Sequence, residues 1–284
     1  MWTPEDRALV GDYGSGQALS DDQFRLLEPL IPSAKPGGRP RQTDMRRLLD
    51  SLFYLVRTGC QWRHLPPPPL FVPWPTVYGY FRAFLRAGVW EGMRPHLVVM
   101  LREAVGREPS PTAAILDTQR VKTTESGGPR GWEAAKKVKG RKRHLAVDTP
   151  GLRLGVVVHA ASIQDADGAG ELRRRLKPLY CWLRTVFADS TYNRVATLLA
   201  CFLLGLTLVV VGRIAGTTGF VVIPRRWVVE RTLGWLGRWR RLSKDYEQLP
   251  EVSEAMVTLA MIRLMLHRLV HPNRKRLPAP VSDF

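Results

Sequence analysis

From Asp44 onward the run MRRLLDSLFYLVRTG sets apolar residues at 45, 48, 49, 52, 53, 55 and 56, mostly three or four apart, which predicts a helix with one buried face that stops at Gly59. A shorter helix is expected before it. Ser20, Asp21 and Asp22 supply a cap and first-turn acids, FRLLEPLI carries the apolar face, and Pro32 ends it. Past the rigid proline run LPPPPLFVPWP, TVYGYFRAFLRAGVW and MRPHLVVMLREAV read as two more helices. Residues 19–108 are therefore expected to form a small all-helical unit, with residues 1–18 as a flexible arm ahead of it.

The pattern changes at Pro109 and Pro111. Beyond them AAILD, KRHLAVD, LRLGVVVHA, TVFAD and LTLVVVG are short apolar runs of strand type, and helix-like runs fill 165–177 and 193–204. The turn TPG at 149–151 allows only a hairpin, so pairing is mixed. Three strands, a helix, a strand, a helix, a strand and a helix is the order of a ribonuclease H-like α/β fold. That order predicts a mixed five-stranded sheet with flanking helices over 109–284, preceded by the helix-turn-helix-like all-α unit. The apolar stretch VATLLACFLLGLTLVVV at 195–211 is split by Gly205 into a helical half and a β-branched half; a buried helix and then a buried strand are expected, not a membrane span. AMVTLAMIRLMLHRL at 255–269 reads as the packing face of a last helix.

Charge changes this picture. The 284-residue chain has 43 Lys and Arg against 25 Asp and Glu, a formal charge of +18, and an ordinary 45% apolar content. The excess base is spread along a foldable chain, which points to a polyanionic partner, nucleic acid first. KKVKGRKR carries six cations in eight residues and leads straight into the second long strand. Lys136, Lys137, Lys139, Arg141, Lys142 and Arg143 are thus expected along one phosphate-contacting track, with a solvated basic loop as the plain alternative. PGGRPRQ places Arg39 and Arg41 in the setting of a minor-groove arm, or of a surface linker. Cys60, Cys181 and Cys201 form no CxxC pair, which fits a reducing cytoplasm; no zinc motif and no phosphate-binding GxxxxGK[ST] loop occurs, which speaks against ATP use.

Three acids stand out. Asp117 closes AAILD, Asp189 closes TVFAD, and Glu230 lies in the basic, tryptophan-rich segment RRWVVERTLGWLGRWRRLSKDYE. Read as one long helix, that segment gathers its large apolar residues on one side and leaves Glu230, Gly234, Gly237, Arg241 and Lys244 opposite, a face of little bulk that a phosphate backbone could approach. A glutamate merely paired with an arginine is the plain reading. Oxygen donors on two strand ends and a helix suit magnesium or manganese. Gln164, Asp165 and Asp167 also look site-like, but capping explains them. Trp62, Trp74, Tyr78, Tyr80 and Phe81 are expected in the core rather than against bases.

LSDDQFRLLEPLIP, GGRPR, RTGCQWRHLP and WPTVYGYFR, then ILDTQRVKTTESGGPRGWEAAKKVKGRKRHLAVDTPG, VVHAASIQDADGA, FADSTY, PRRWVVERTLGWLGRWRRLSKDYE and SEAMVTLAMIRLML occur in this order from Leu19 to Leu269. Together they resemble the DDE transposases of bacterial insertion sequences, specifically the insertion sequence five family. The resemblance implies that Asp117, Asp189 and Glu230 are the catalytic acids, holding two Mg²⁺ ions that Mn²⁺ can replace. It implies a DNA-binding unit over 19–108 and a catalytic unit over 109–284, acting in the bacterial cytoplasm near the nucleoid, as a homodimer. The partners are double-stranded DNA of the element's inverted repeats and of the target, with no membrane and no ATP. In the family's Tyr-x2-Arg-x3-Glu-x6-Lys pattern Arg226 holds the arginine place, whereas Ile223 and Gly237 stand at the tyrosine and lysine places and Arg238 follows one residue later. An inactive, transposase-derived DNA-binding protein and a ribonuclease H-like nuclease are the rival readings.

Overall fold

The computed structural model describes residues 18–34, 36–37, 40–212 and 225–271. Helix α1 (Asp21–Leu27) begins with a reciprocal cap, in which Ser20 Oγ accepts from the Gln23 N–H and Gln23 Oε1 accepts from the Ser20 N–H, each at 3.2 Å. It passes into a 3₁₀ turn over Glu28–Leu30, short of Pro32. Helix α2 (Met45–Thr58) is capped by Asp44 and closed by Gly59 at φ 72°, as its sequence predicts. Helices α3 (Trp74–Arg86) and α4 (Val89–Ala104) complete the N-terminal set. Trp62, Trp74, Tyr80 and Phe81 join the core here, while Tyr78 is partly exposed against the Trp62 ring.

The sheet comprises β1 (Ala113–Lys122), β2 (Gly131–Glu133), β3 (Val138–Val147), β4 (Arg153–Ala160), β5 (Thr185–Ala188) and β6 (Thr207–Val210). β3 runs antiparallel to β1, from Ile115 opposite Val147 to Lys122 opposite Gly140. On its other side β3 pairs first with the short β2 and then with β4, both antiparallel. β5 lies parallel to β1, and β6 parallel to β5. The order β4, β3, β1, β5, β6, three antiparallel strands followed by two parallel ones, is ribonuclease H-like; β2 is an addition that its sequence does not announce. Helix α5 (Asp165–Leu179) connects β4 to β5, α6 (Val195–Leu203) connects β5 to β6, and α7 (Trp227–Leu236) and α8 (Pro250–Val270) follow.

Two expectations are corrected. The apolar helix α6 is not buried: only Thr197 and Cys201 are sealed, while Val195, Phe202 and Leu203 are 82%, 77% and 75% exposed. Its strand β6 is at most half-buried, because it is the last strand paired in the sheet. Nor does the Glu230 segment form one long helix. α7 ends at Leu236 with Gly237 as its C-cap, Trp239 is extended, and a 3₁₀ turn follows over Arg240–Leu242. Gly234 and Gly237 cost helix stability, and the chain turns to bridge Thr123 through Asp245.

Helix α8 is buried along most of its circumference, from Val252 through Met256, Leu259, Met261 and Met265. It packs against α1, α2 and α4 on one side and against β4 and α7 on the other, so the buried apolar side chains form one continuous cluster. Polar ties cross the same seam. Glu91 of α4 receives Arg153 of β4 at 2.7 Å and the Thr258 hydroxyl of α8 at 2.8 Å, and Arg102 meets the sealed Asp148 at 2.7 Å. No helix among the described residues is long and apolar enough to cross a membrane.

Candidate active site

Asp117 sits mid-strand rather than at a strand end, since β1 runs on to Lys122 to pair with β3. Its pairing with β5, by contrast, stops at Ile115 opposite Phe187. Carrying that register two residues further sets Asp117 beside Asp189, which directly follows β5. The two aspartates thus occupy matching positions where parallel neighbours part, the crevice in which open α/β sheets place their ligands. Asp189 caps the 3₁₀ turn Ser190–Tyr192 by accepting from the Thr191 N–H at 3.0 Å. Helix α7 packs across β1 and β3 and carries Glu230 in its first turn, exposed, with Arg226 Nη2 at 3.4 Å from its Oε1.

Electrostatics ties the three acids together. Burial raises the Asp117 carboxyl to about 6; the Thr118 N–H, donating at 2.7 Å, and Arg226 oppose this, while the Asp189 and Glu230 charges add to it. Glu230, Asp189 and Arg226 are therefore close enough for their charges to act on Asp117. An all-oxygen donor set that repels its own central carboxylate suits a hard divalent cation. Among the described residues, however, no three His, Cys, Asp or Glu side chains stand close enough together to hold one ion. Each carboxylate is engaged by an N–H or a guanidinium of its own chain.

Behind Asp117 lies a sealed polar group that sequence reasoning passes over. Thr118 Oγ1 is 2.9 Å from His144 Nδ1 and 2.7 Å from the Tyr192 hydroxyl. His144 stacks on His159 with ring centroids 4.5 Å apart; burial, reinforced by His159, Lys142 and Arg120, lowers it to about 2, so the ring is neutral. Tyr192 is pushed above its ordinary value by burial. Tyr192 falls three residues after Asp189 and Thr118 one after Asp117, but only the register of β1 on β3 shows that His144 faces Thr118.

The basic residues divide into two kinds. Lys136, Lys137, Lys139, Arg41, Arg238 and Lys244 are exposed, Arg226 is half-buried at the acids, and Arg39 lies outside the described residues. Arg141, Lys142, Arg143 and Arg241 are buried, which breaks the expected single track. β3 is flanked by strands on both sides, and the segment after α7 lies over it. Arg141 donates to the Glu247 and Gln248 carbonyls at 2.8 and 2.6 Å and faces Asp245 at 3.3 Å. Arg143 donates to the Leu242 and Lys244 carbonyls at 2.8 and 3.2 Å. Arg241 pairs with Glu247 at 2.7 Å, and Lys142 with Asp165 at 2.9 Å. Asp165, expected as a cap, instead pairs with Lys142 and Arg120, and its helix has no side-chain cap bond.

The sheet order is ribonuclease H-like, with Asp117 and Asp189 just past the last paired residues of its parting parallel strands and Glu230 on the helix that packs across β1 and β3. The chain belongs to the transposase DDE domain family, whose model matches residues 108–265. A second family model, described as "Putative transposase of IS4/5 family", matches residues 19–94. An uncharacterized protein of insertion element IS402 from Burkholderia cepacia is 26% identical over 117 residues, 40% of this chain and 78% of that protein. The uncharacterized protein y4sN of Sinorhizobium fredii is 31% identical over 86 residues, 30% of this chain and 65% of that protein. Among solved structures, the catalytic core domain of BIV integrase overlaps 58% of this chain and 85% of its own at 20% identity, with a TM-score of 0.30.

Proposed function

We propose that this transposase binds the terminal inverted repeats of its insertion sequence, cuts the DNA at the element's ends and joins the freed 3′ hydroxyls to target DNA. The observation that carries the reading is that Asp117 and Asp189 each stand two residues past the last paired positions of the parallel β1–β5 seam, with Glu230 on the helix that packs across β1 and β3. In this reading Asp117, Asp189 and Glu230 hold two Mg²⁺ ions, or Mn²⁺, which when bound would activate the attacking oxygen and stabilise the leaving one. Arg226, 3.4 Å from Glu230, would balance the charge of the acids in the absence of cation. Exposed Lys136, Lys137, Lys139, Arg41, Arg238 and Lys244, with Arg39, hold phosphates and set position. Residues 19–108 dock the repeats, 109–284 carry the chemistry, and a homodimer pairs two ends in the bacterial cytoplasm at the nucleoid.

A second reading, a DNA-binding protein without cleavage activity, draws on the partners each acid already has. Labelled duplexes carrying the gene's flanking repeats decide between them, incubated with Mg²⁺ or Mn²⁺ and the unsubstituted chain, Asp117→Ala or Glu230→Ala. Metal-dependent 3′ hydroxyl release and joining, absent from both variants, is expected. Repeat binding without cleavage in either metal would establish the second reading, and cleavage without repeat preference a general nuclease.

A further inference from the structure

Backbone pairing holds β1 to β5 only as far as Ile115 and Phe187, so it does not reach the aspartates. What lies next between the two chain segments is a pair of hydroxyls. Thr118, directly after Asp117, donates its N–H to Asp117 Oδ1 and turns its side chain to the opposite face of β1. There its Oγ1 is 2.7 Å from the hydroxyl of Tyr192, which ends the 3₁₀ turn capped by Asp189. His144, opposite Thr118 on β3, closes the triangle, its Nδ1 2.9 Å from Thr118 Oγ1 and 3.3 Å from the Tyr192 hydroxyl. All three side chains are sealed from solvent, at 7%, 1% and 1% exposure for Thr118, His144 and Tyr192.

We infer that Tyr192, Thr118 and His144 are positioning residues, a buried latch that fixes the spacing of Asp117 and Asp189 and so sets the affinity of the acid site for its divalent cation. The inference rests on the function proposed above. The latch works because each of its members belongs to a different segment: β1, β3 and the turn after β5. The two hydroxyls and the imidazole Nδ1 each lie within hydrogen-bonding reach of the other two, so each hydroxyl can donate to one neighbour and accept from the other. The site is enclosed, so water cannot take the place of a missing hydroxyl without opening the core. Removing that hydroxyl frees the turn to shift Asp189 relative to Asp117. The backbone pairing of β1 with β3, from Ile115 to Lys122, does not involve that hydroxyl.

The test uses the full chain and Mn²⁺ alone as probe, titrated by electron paramagnetic resonance, beside thermal melts without metal and repeat-duplex binding in a chelator. Tyr192→Phe and Thr118→Val are each expected to weaken Mn²⁺ binding by roughly tenfold to hundredfold. The double variant should lose less than the sum of the two single losses, because the Thr118–Tyr192 bond is already lost in each of them. Thr118→Ser should restore near-normal affinity, and duplex binding without metal should stay unchanged throughout. Unchanged Mn²⁺ affinity in Tyr192→Phe, or additive losses in the double variant, overturns the latch. If Tyr192→Phe fails to fold, the contrast of Thr118→Val with Thr118→Ser decides alone, and equal affinity in those two overturns it. Absence of Asp117-dependent Mn²⁺ binding in the unsubstituted chain, judged against Asp117→Asn, overturns the proposed metal site and the latch together.

Discussion

At the residue scale, the value of a charged side chain here depends on which way the strand or helix turns it. Asp50 of α2 is 8% exposed and accepts the Leu19 N–H at 2.7 Å; burial raises it to about 6, against the pull of that N–H, Arg46 and Arg263. A carboxyl whose folded value is raised binds its proton more tightly folded than unfolded, so its ionisation costs stability as pH rises from about 4 to about 6. Asp50→Asn keeps the acceptor without the charge. Its gain should be on the order of 1–3 kcal/mol at pH 7.5 and vanish below pH 4, as read by urea unfolding at both; an equal gain at both would show that ionisation is not the cause. The buried arginines make the opposite case. Arg143→Ala should lower Tm by leaving the Leu242 and Lys244 carbonyls without donors, at a cost of about 2–4 kcal/mol, yet leave the salt dependence of DNA binding unaltered. Lys136→Ala with Lys139→Ala should do the reverse, flattening the slope of log affinity against log salt by about 2 with Tm unmoved. Asp117 and Asp189 were legible as candidates because each ends an apolar run. Arg141 and Arg143 were not, because a run of cations does not reveal that a later segment will fold over it, and His144 means little until strand register puts it opposite Thr118.

At the scale of elements, the α/β order, the capped α2 and the strand sequence could be read from periodicity and turn residues, since those are local choices. The length of α7 and the burial of α6 could not, because both depend on what packs alongside. Gly234 lies in α7 with open space where a Cβ would stand. Gly234→Ala should therefore stabilise the chain by about 0.5–1 kcal/mol, seen as a higher Tm, and a lower Tm would mean that this spot is crowded in solution. Gly168 of α5 differs. A Cβ there would meet His159 Nε2 at 1.9 Å and His144 Nε2 at 2.6 Å, so the glycine lets α5 approach the stacked histidines. Gly168→Ala should destabilise by about 1–3 kcal/mol in urea unfolding, a cost of overpacking with no flexible neighbour to yield.

At the scale of the whole molecule, α8 joins the N-terminal helices to the sheet, and its sealed Met256, Leu259, Met261 and Met265 serve both. A fragment of residues 109–284 should therefore expose the α8 surface that α1, α2 and α4 cover, and associate or melt broadly where the full chain melts in one transition. A fragment that is monomeric by light scattering and melts at the Tm of the full chain would show that the helices are a separable unit. Sequence alone marked the boundary between helical and strand-like halves, but not that a helix at the far end of the chain belongs to both.

The unequal lengths of β1 and β5 have one more consequence. β1 spans ten residues and β5 only four, so the parallel seam opens after Ile115 and Phe187 like a zip stopped short. Had β5 continued by another two residues, Asp189 would have given its backbone to β1 and the gap would have become ordinary sheet. The 3₁₀ turn that carries the chain away from β1 at Ser190 thus creates the opening, and an insertion or deletion there would be felt at the acids before it was felt by the fold.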